Sequence, residues 1–245
     1  TQIKRYNLLQ EGQPVPVYDR YFTNGMNVGR GNNIIPLCGL DWKHLFHPVD
    51  TDLFPFCEEV VGSAYSTVMN WVSHEAVTLG GVAFGQKNIE FEKFISLPGM
   101  VKAAMEVAVT GNNVPRARLS ESGWIIRDGR AVTETFDSFY DYIRSSRGEF
   151  SVCKNVFIAT RSGWFSDKSA AYLSSGRPVV LQDTGFSEHL PCGQGLFAVK
   201  SAEEAAWAMG EIESAYGKHA RSAREIAMDY FECGKVMRKF LDDLS

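Results

Sequence analysis

The feature that most constrains the fold is an alternation that sets in near Ser63. Short apolar, β-branched runs alternate from there with stretches of helical periodicity, and turn residues separate them. Ser66–Trp71, Met105–Val109, Trp124–Ile126, Phe150–Val152, Val156–Ala159, Pro178–Leu181 and Leu196–Val199 read as strands. Ile89, Phe91, Phe94, Ile95 and Leu97 mark a helical stretch ending at Pro98, and Pro115–Leu119 gives one helical turn. Phe136, Phe139, Tyr140 and Ile143 fall at i, i+3, i+4 and i+7, the spacing of an amphipathic helix. Asp167–Ser174 reads as a helix stopped by Gly176, and Ser201 with Glu204 forms a capping box opening a long helix. Helices around Arg221–Phe231 and Val236–Leu244 follow. The expectation is an α/β fold, a Rossmann-like parallel sheet with helices on both faces. Ligands bind such sheets beyond the carboxyl ends of the strands, so the loops there are the place to look.

The first sixty residues have a different texture. Gln13-Pro14-Val15-Pro16, Asn24-Gly25, Gly29 to Asn33, Pro36, Pro48 and Pro55 break helices and long strands. Loops around one or two short strands, Arg20–Thr23 the best of them, are expected here. The 245 residues thus divide into a partial domain and linker (1–62), a Rossmann-like domain (63–232) and a last helix (233–245). The chain begins at Thr1 rather than Met, which fits a trimmed chain or a fragment.

Charge and composition exclude several classes. Twenty-five basic against twenty-nine acidic side chains give a net charge of −4, not the footprint of a nucleic-acid binder. No apolar run reaches the length of a transmembrane segment. Five scattered cysteines without a C-x-x-C pair fit neither a zinc site nor a disulfide framework, and suit a reducing cytoplasm. His44 and His47 stand three apart, but no carboxylate or cysteine completes a metal set, so no metal is expected. The nucleophile elbow and the P-loop are absent. Gly25-Met26-Asn27-Val28-Gly29 lacks the third glycine and following helix of a dinucleotide fingerprint.

The segment Arg161-Ser162-Gly163-Trp164-Phe165-Ser166-Asp167-Lys168 carries the strongest signal. It is a glycine-containing loop leading into a helix whose N-cap is Ser166 or Asp167. A helix start offers unpaired N–H groups and a positive dipole end, which suit a phosphate, and Arg161 with the hydroxyls of Ser162 and Ser166 adds charge and donors. An N-capped helix with no ligand fits the same residues. Asp41 and Asp183 are the best candidate acids, since both lie in turns flanked by glycine; Asp183 also suits an Asx turn holding Thr184 and Gly185. His189, beside Glu188, is a base, a sugar contact or an exposed loop residue.

The helix followed by Gly176-Arg177-Pro178-Val179-Val180, then Gln182-Asp183-Thr184-Gly185-Phe186, resembles the carboxyl-terminal domain of GT-B glycosyltransferases. It is more closely similar to a bacterial subgroup that shares the Gly-Trp-Phe-Ser-Asp segment, the Gln-Asp-Thr-Gly-Phe turn and a Tyr-Phe pair like Tyr230-Phe231. Phe22-Thr23, Cys38-Gly39-Leu40-Asp41-Trp42, Asn70-Trp71 and Phe84-Gly85-Gln86-Lys87 fit as well. The resemblance implies a nucleotide diphosphate sugar as donor substrate, an unknown acceptor, no cofactor, no metal and possible homo-oligomers. It implies a diphosphate site at Lys87, Arg161, Ser162, Gly163 and Ser166. Nucleotide and sugar contacts fall to Trp164, Phe165, Thr184, Gly185 and Phe186; Asp183 and His189 are the candidate catalytic groups from the residues themselves. It also implies that Val236–Leu244 crosses back to brace the amino-terminal domain. Two departures stand out: Gly163 and Ala171 occupy positions where many retaining members carry glutamates, and no histidine precedes Gly163-Trp164 as in plant-type inverting members. A nucleotide-binding module without transfer activity and an epimerase of the same fold are the alternatives.

Overall fold

The computed structural model describes residues 2–31, 33–57, 62–73 and 75–244. The chain opens with α1 (Gln2–Gln10), a helix that the loop-rich reading of this region does not anticipate. Only Ile3 is buried in it, so its sequence carries little periodic signal. Two short strands, β1 (Tyr21–Thr23) and β2 (Trp42–His44), then pair in parallel, Tyr21 opposite Trp42.

The main body starts with β3 (Ala64–Asn70). A small hairpin, β4 (Val77–Leu79) and β5 (Val82–Phe84), fills the glycine-rich turn and delivers the chain to α2 (Lys87–Phe91). After it come β6 (Ala104–Thr110), α3 (Arg116–Glu121), β7 (Ile125–Asp128), α4 (Phe136–Arg144) and β8 (Gly148–Ser151). The run Val156–Ala159, read as a strand, lies in a helix, α5 (Asn155–Ala159). Four apolar residues cannot show a period, and here the amides of Phe157 and Ile158 turn back onto the Lys154 carbonyl. Next are α6 (Asp167–Ser174), β9 (Val179–Gln182), β10 (Leu196–Val199), α7 (Ala202–Ser214) and α8 (Tyr216–Ile226). A π-helical turn, Ala227–Phe231, leads to α9 (Cys233–Asp242).

Six strands form one parallel sheet in the order β10-β9-β8-β3-β6-β7. All of them fall between Ala64 and Val199. Val179, Val180 and Leu181 are buried on both sides of the sheet, as a strand covered by helices on two faces must be. Phe94, Trp124, Phe150 and Met209 pack on one face; Ile143, Tyr172, Leu181 and Phe186 pack on the other.

The Gly-Arg-Pro signature has a local cause. Gly176 ends α6 at φ +69°, where an added Cβ would meet the Phe56 ring at 2.4 Å. Arg177, fully buried, then donates to the Arg144 carbonyl at 2.7 Å and ties α6 to the end of α4. The last helix returns to the amino-terminal segment: the Phe240 and Phe22 rings lie 4.8 Å apart, and Val49 exchanges main-chain bonds with Phe231 and Cys233. Among the described residues no helix is long and apolar enough to cross a membrane.

The sheet order fixes where a ligand can go. The chain starts at β3, runs outward through β6 and β7, then returns to lay β8 on the other side of β3. The connections therefore diverge between β3 and β8, and the ligand crevice of such a sheet is expected beyond their carboxyl ends.

Candidate functional site

Two lysines stand at that crevice. Lys168, in the first turn of α6, reaches across β8 and β3. Its Nζ pairs with the Glu149 carboxylate and donates to Ser151 Oγ at 3.2 Å and Thr67 Oγ1 at 3.3 Å. Glu149 is fully buried, and its second carboxylate oxygen has no hydrogen-bond partner. Lys87, at the start of α2, differs. None of the described residues bonds to or pairs with its ammonium, and desolvation, helped by repulsion from Lys168, pulls its pKa down to about 8. Lys87 is partly buried and feels the Glu149 carboxylate only through space, so an anion placed here meets a cation with no direct partner among the described residues.

A polar network sets the position of Lys87. Asn155 accepts the Gly85 amide at 3.0 Å through Oδ1 and donates to the buried Glu90 at 2.7 Å through Nδ2. Glu90 also accepts from Lys93 at 2.8 Å and from Gln182, whose side chain in turn accepts the Cys153 amide at 3.2 Å. Burial works against ionisation of Glu90, but the bonds from Asn155, Lys93 and Gln182 prevail and its pKa is lowered. The ends of β8 and β9 and the start of α2 are thereby locked together.

The turn before α6 is more closed than its sequence implies. The amides of Arg161, Ser162 and Gly163 donate to the carbonyls of Ile158, Phe157 and Thr184, and that of Trp164 to Ser162 Oγ. The Lys168 amide goes to the Asp167 carboxylate at 2.8 Å, which places a negative group at the helix start. These bonds occupy the amides of residues 161–164 and 168, so that part of the turn is closed rather than a run of bare amides. Ser162 Oγ lies 3.4 Å from the Phe157 carbonyl and Ser166 Oγ 3.4 Å from Asp167. The exposed Arg161 side chain is ion-paired with Glu188.

Asn27 joins this turn to the next. Its Nδ2 donates to the Arg161 carbonyl at 3.0 Å and the Gly185 carbonyl at 3.4 Å, while its Oδ1 lies 2.6 Å from His189 Nε2. Its amide donates to the Ser162 carbonyl at 3.0 Å. Gly163, at φ +73°, passes so close that a Cβ would stand 2.8 Å from the Asn27 nitrogen. Asp183 holds its own turn, accepting from the Gly185 amide at 2.8 Å and from Ser187 Oγ at 3.0 Å. Thr184 is buried and donates to the Trp164 carbonyl at 2.6 Å. Phe165 and Phe186 are core residues packed on each other, and Phe165 also stacks on Phe231. Trp164 stacks on Phe157 with ring centres 4.8 Å apart. Burial, with Arg30 nearby, lowers the pKa of His189.

The structure thus gathers Arg161–Phe165, Asp183–Phe186 and His189 around Asn27, and sets Lys87 apart, on the side of Lys168. Asn27, Glu90, Glu149, Asn155, Lys168 and Gln182 carry the arrangement; the sequence patterns include Asn27, Lys168 and Gln182 only as members of their loops and motifs, and pass over Glu90, Glu149 and Asn155. Searching the residues after each strand would have flagged Lys154-Asn155 after β8 and Gln182 at the end of β9. Among the described residues no group of three His, Cys, Asp or Glu side chains is placed to hold a metal. His44 instead contacts the Val28 carbonyl and His47 contacts Asn24; His74 lies outside the described residues.

Beside the crevice is a cleft of about 710 Å³. Gln86, Lys154, Phe157, Ser162 and Trp164 form one wall and the amino-terminal segment, with α1, Tyr21 and Trp42, the other.

This backbone matches solved structures across most of its length. TarM superimposes with a TM-score of 0.54 at 10% identity, over 99% of this chain and 42% of that one. Anabaena HepE in complex with UDP gives 0.52 at 13% identity, over 83% and 57%. The pneumococcal O-GlcNAc transferase GtfA in complex with UDP and GlcNAc gives 0.51 at 10% identity, over 98% and 43%. The fold is that of GT-B glycosyltransferases. The chain spans about half the length of these structures. No protein-family model and no curated protein matches the sequence.

Proposed function

We propose that the chain is the donor-binding portion of a glycosyltransferase and takes a nucleotide diphosphate sugar at the crevice between β3 and β8. The observation that carries this reading is Lys87, whose ammonium lacks a partner among the described residues at the point where the strand order reverses. A diphosphate there supplies the missing negative charge, and a lysine meets it as a point charge. In transfer, an acceptor hydroxyl oxygen bonds to the anomeric carbon of the donor. The bond from that carbon to the diphosphate oxygen breaks, its electron pair leaves with the diphosphate, and the hydroxyl proton is released to water. Lys87 then faces the charge that develops on the leaving group, where a fixed cation lowers the barrier. Uridine is the base to try first, because HepE and GtfA were solved with UDP.

A thermal-shift series with UDP, GDP, dTDP and ADP sugars tests the reading. A ligand at about a hundred times its Kd adds about 2.7 kcal/mol, a readily visible rise in melting temperature. If none of the four raises it, the donor site is not here. Binding without transfer is a second reading, favoured because Asp183 and His189 are both engaged inside the protein. Slow hydrolysis of a bound UDP-sugar by the chain decides for the enzyme.

A further inference from the structure

The cleft beside the crevice has a charge balance opposite to that of the chain. Lys4, Arg5, Arg20 and Lys154 line it against a single carboxylate, Glu75, in a protein of net charge −4. Neither Lys4 nor Lys154 has a hydrogen-bond or ion-pair partner among the described residues. They lie close enough that Lys4, added to desolvation, lowers the pKa of Lys154. Arg5 is buried at Nε without a bond, although its Nη1 reaches the Pro16 carbonyl and its guanidinium stands over the Tyr21 ring. A concave surface with cations of one sign concentrates the field inside it.

The same cleft is aromatic. Tyr18, Tyr21, Trp42, Phe157 and Trp164 line it, the Tyr21 ring edge-on to Trp42 at 5.3 Å. Rings offer flat apolar faces that suit the C–H face of a pyranose, and Tyr18 is exposed to solvent. The volume, about 710 Å³, has room for two or three sugar rings. Gln86 and Lys154 put its inner end beside Lys87 and the end of β8.

We propose that this cleft binds the acceptor, and that the acceptor is an oligosaccharide bearing anionic groups. The acceptor role rests on the donor reading of the adjacent crevice; the preference for an anionic saccharide does not. Stacking on the aromatic wall holds the sugar rings, and the four cations engage the carboxylate, phosphate or sulfate substituents.

The test is calorimetric titration of the full chain, without nucleotide, using a hyaluronan tetrasaccharide, neutral chitotetraose and inorganic phosphate. The acidic tetrasaccharide binds, its affinity falls as salt rises, and the neutral one is weaker by about tenfold or more. Lys4→Gln and Lys154→Gln each weaken the acidic probe about tenfold and leave the neutral one unchanged, as expected on losing one charge-assisted contact. Equal affinity for the two tetrasaccharides, or no change in either variant, overturns the proposal. Phosphate binding as tightly as the acidic tetrasaccharide also overturns it, since the aromatic wall would then add nothing. UDP titrated separately on the unaltered chain keeps the two readings apart. UDP binding without tetrasaccharide binding removes the cleft assignment alone. Tetrasaccharide binding without UDP binding removes the donor site and the acceptor role, while supporting the anionic-saccharide site.

Discussion

Asn27 Oδ1 stands 2.6 Å from His189 Nε2, a bond between residues 162 positions apart in the chain. The same side chain holds the carbonyls of Arg161 and Gly185, so one amide from the amino-terminal segment fastens both candidate donor loops. Asn27 is 6% exposed, and removing its side chain takes away the bond to His189 Nε2, while the Arg161 and Gly185 carbonyls keep the Asn33 side chain and the Glu188 amide. Asn27→Ala is expected to cost about 2 kcal/mol, the usual penalty for unsatisfied buried polar groups. In a chain of this size that lowers the melting temperature by about 4–8 °C. An unchanged melting curve would show that the knot contributes nothing.

Lys87 gives the pH dependence. Its pKa of about 8 lies below that of a free lysine, so the folded chain loses this proton before the unfolded chain does. Between about pH 8 and 10.4 the unfolded state binds more protons, and this group's contribution to stability rises with pH. Donor affinity runs the other way, because a diphosphate needs the charged form. UDP affinity is expected to fall about tenfold or more as pH rises from 7 to 9.5, from the loss of one charge-assisted contact. Lys87→Met should start weak and show no such step. Titration calorimetry at the two pH values reads both effects, and a flat profile in the unaltered chain argues against Lys87 as the diphosphate contact.

Much of the architecture was legible in the sequence because it is written in local patterns. The i, i+3, i+4, i+7 spacing of Phe136, Phe139, Tyr140 and Ile143 gave α4, and the apolar runs gave the sheet. Regions without such a pattern were opaque. α1 buries one residue, and Val156–Ala159 is too short to show a period. The site was legible in its loops but not in its bonds. Whether the amide of Gly163 faces a ligand or the Thr184 carbonyl is set by residues 20 and more positions away. Asn27 lay in a glycine loop that sequence reading compared only with a dinucleotide fingerprint. The Glu149–Lys168 pair joins residues 19 apart on a strand and a helix, and neither stands out by type.

That pair makes its own prediction. Lys168→Met leaves the Glu149 carboxylate buried and uncompensated, which is expected to cost about 3–5 kcal/mol. The double variant Glu149→Gln, Lys168→Met removes both charges and should recover a large part of that loss. A double-mutant cycle in urea reads the coupling directly. Additive single effects would mean that the two charges do not depend on each other.

Phe165 separates a packing role from a binding one. The resemblance to GT-B enzymes assigns it to the donor, but it is 2% exposed and packs against Phe186 and Phe231. Phe165→Leu keeps most of the volume and should lower stability by about 1 kcal/mol, with UDP affinity at low temperature unchanged. Phe165→Ala opens a cavity and should cost about 3–5 kcal/mol. The outcome to watch is the leucine variant, because it stays folded. A large loss of UDP affinity at an intact melting temperature would return Phe165 to the donor site, and would mean that the turn opens when nucleotide binds.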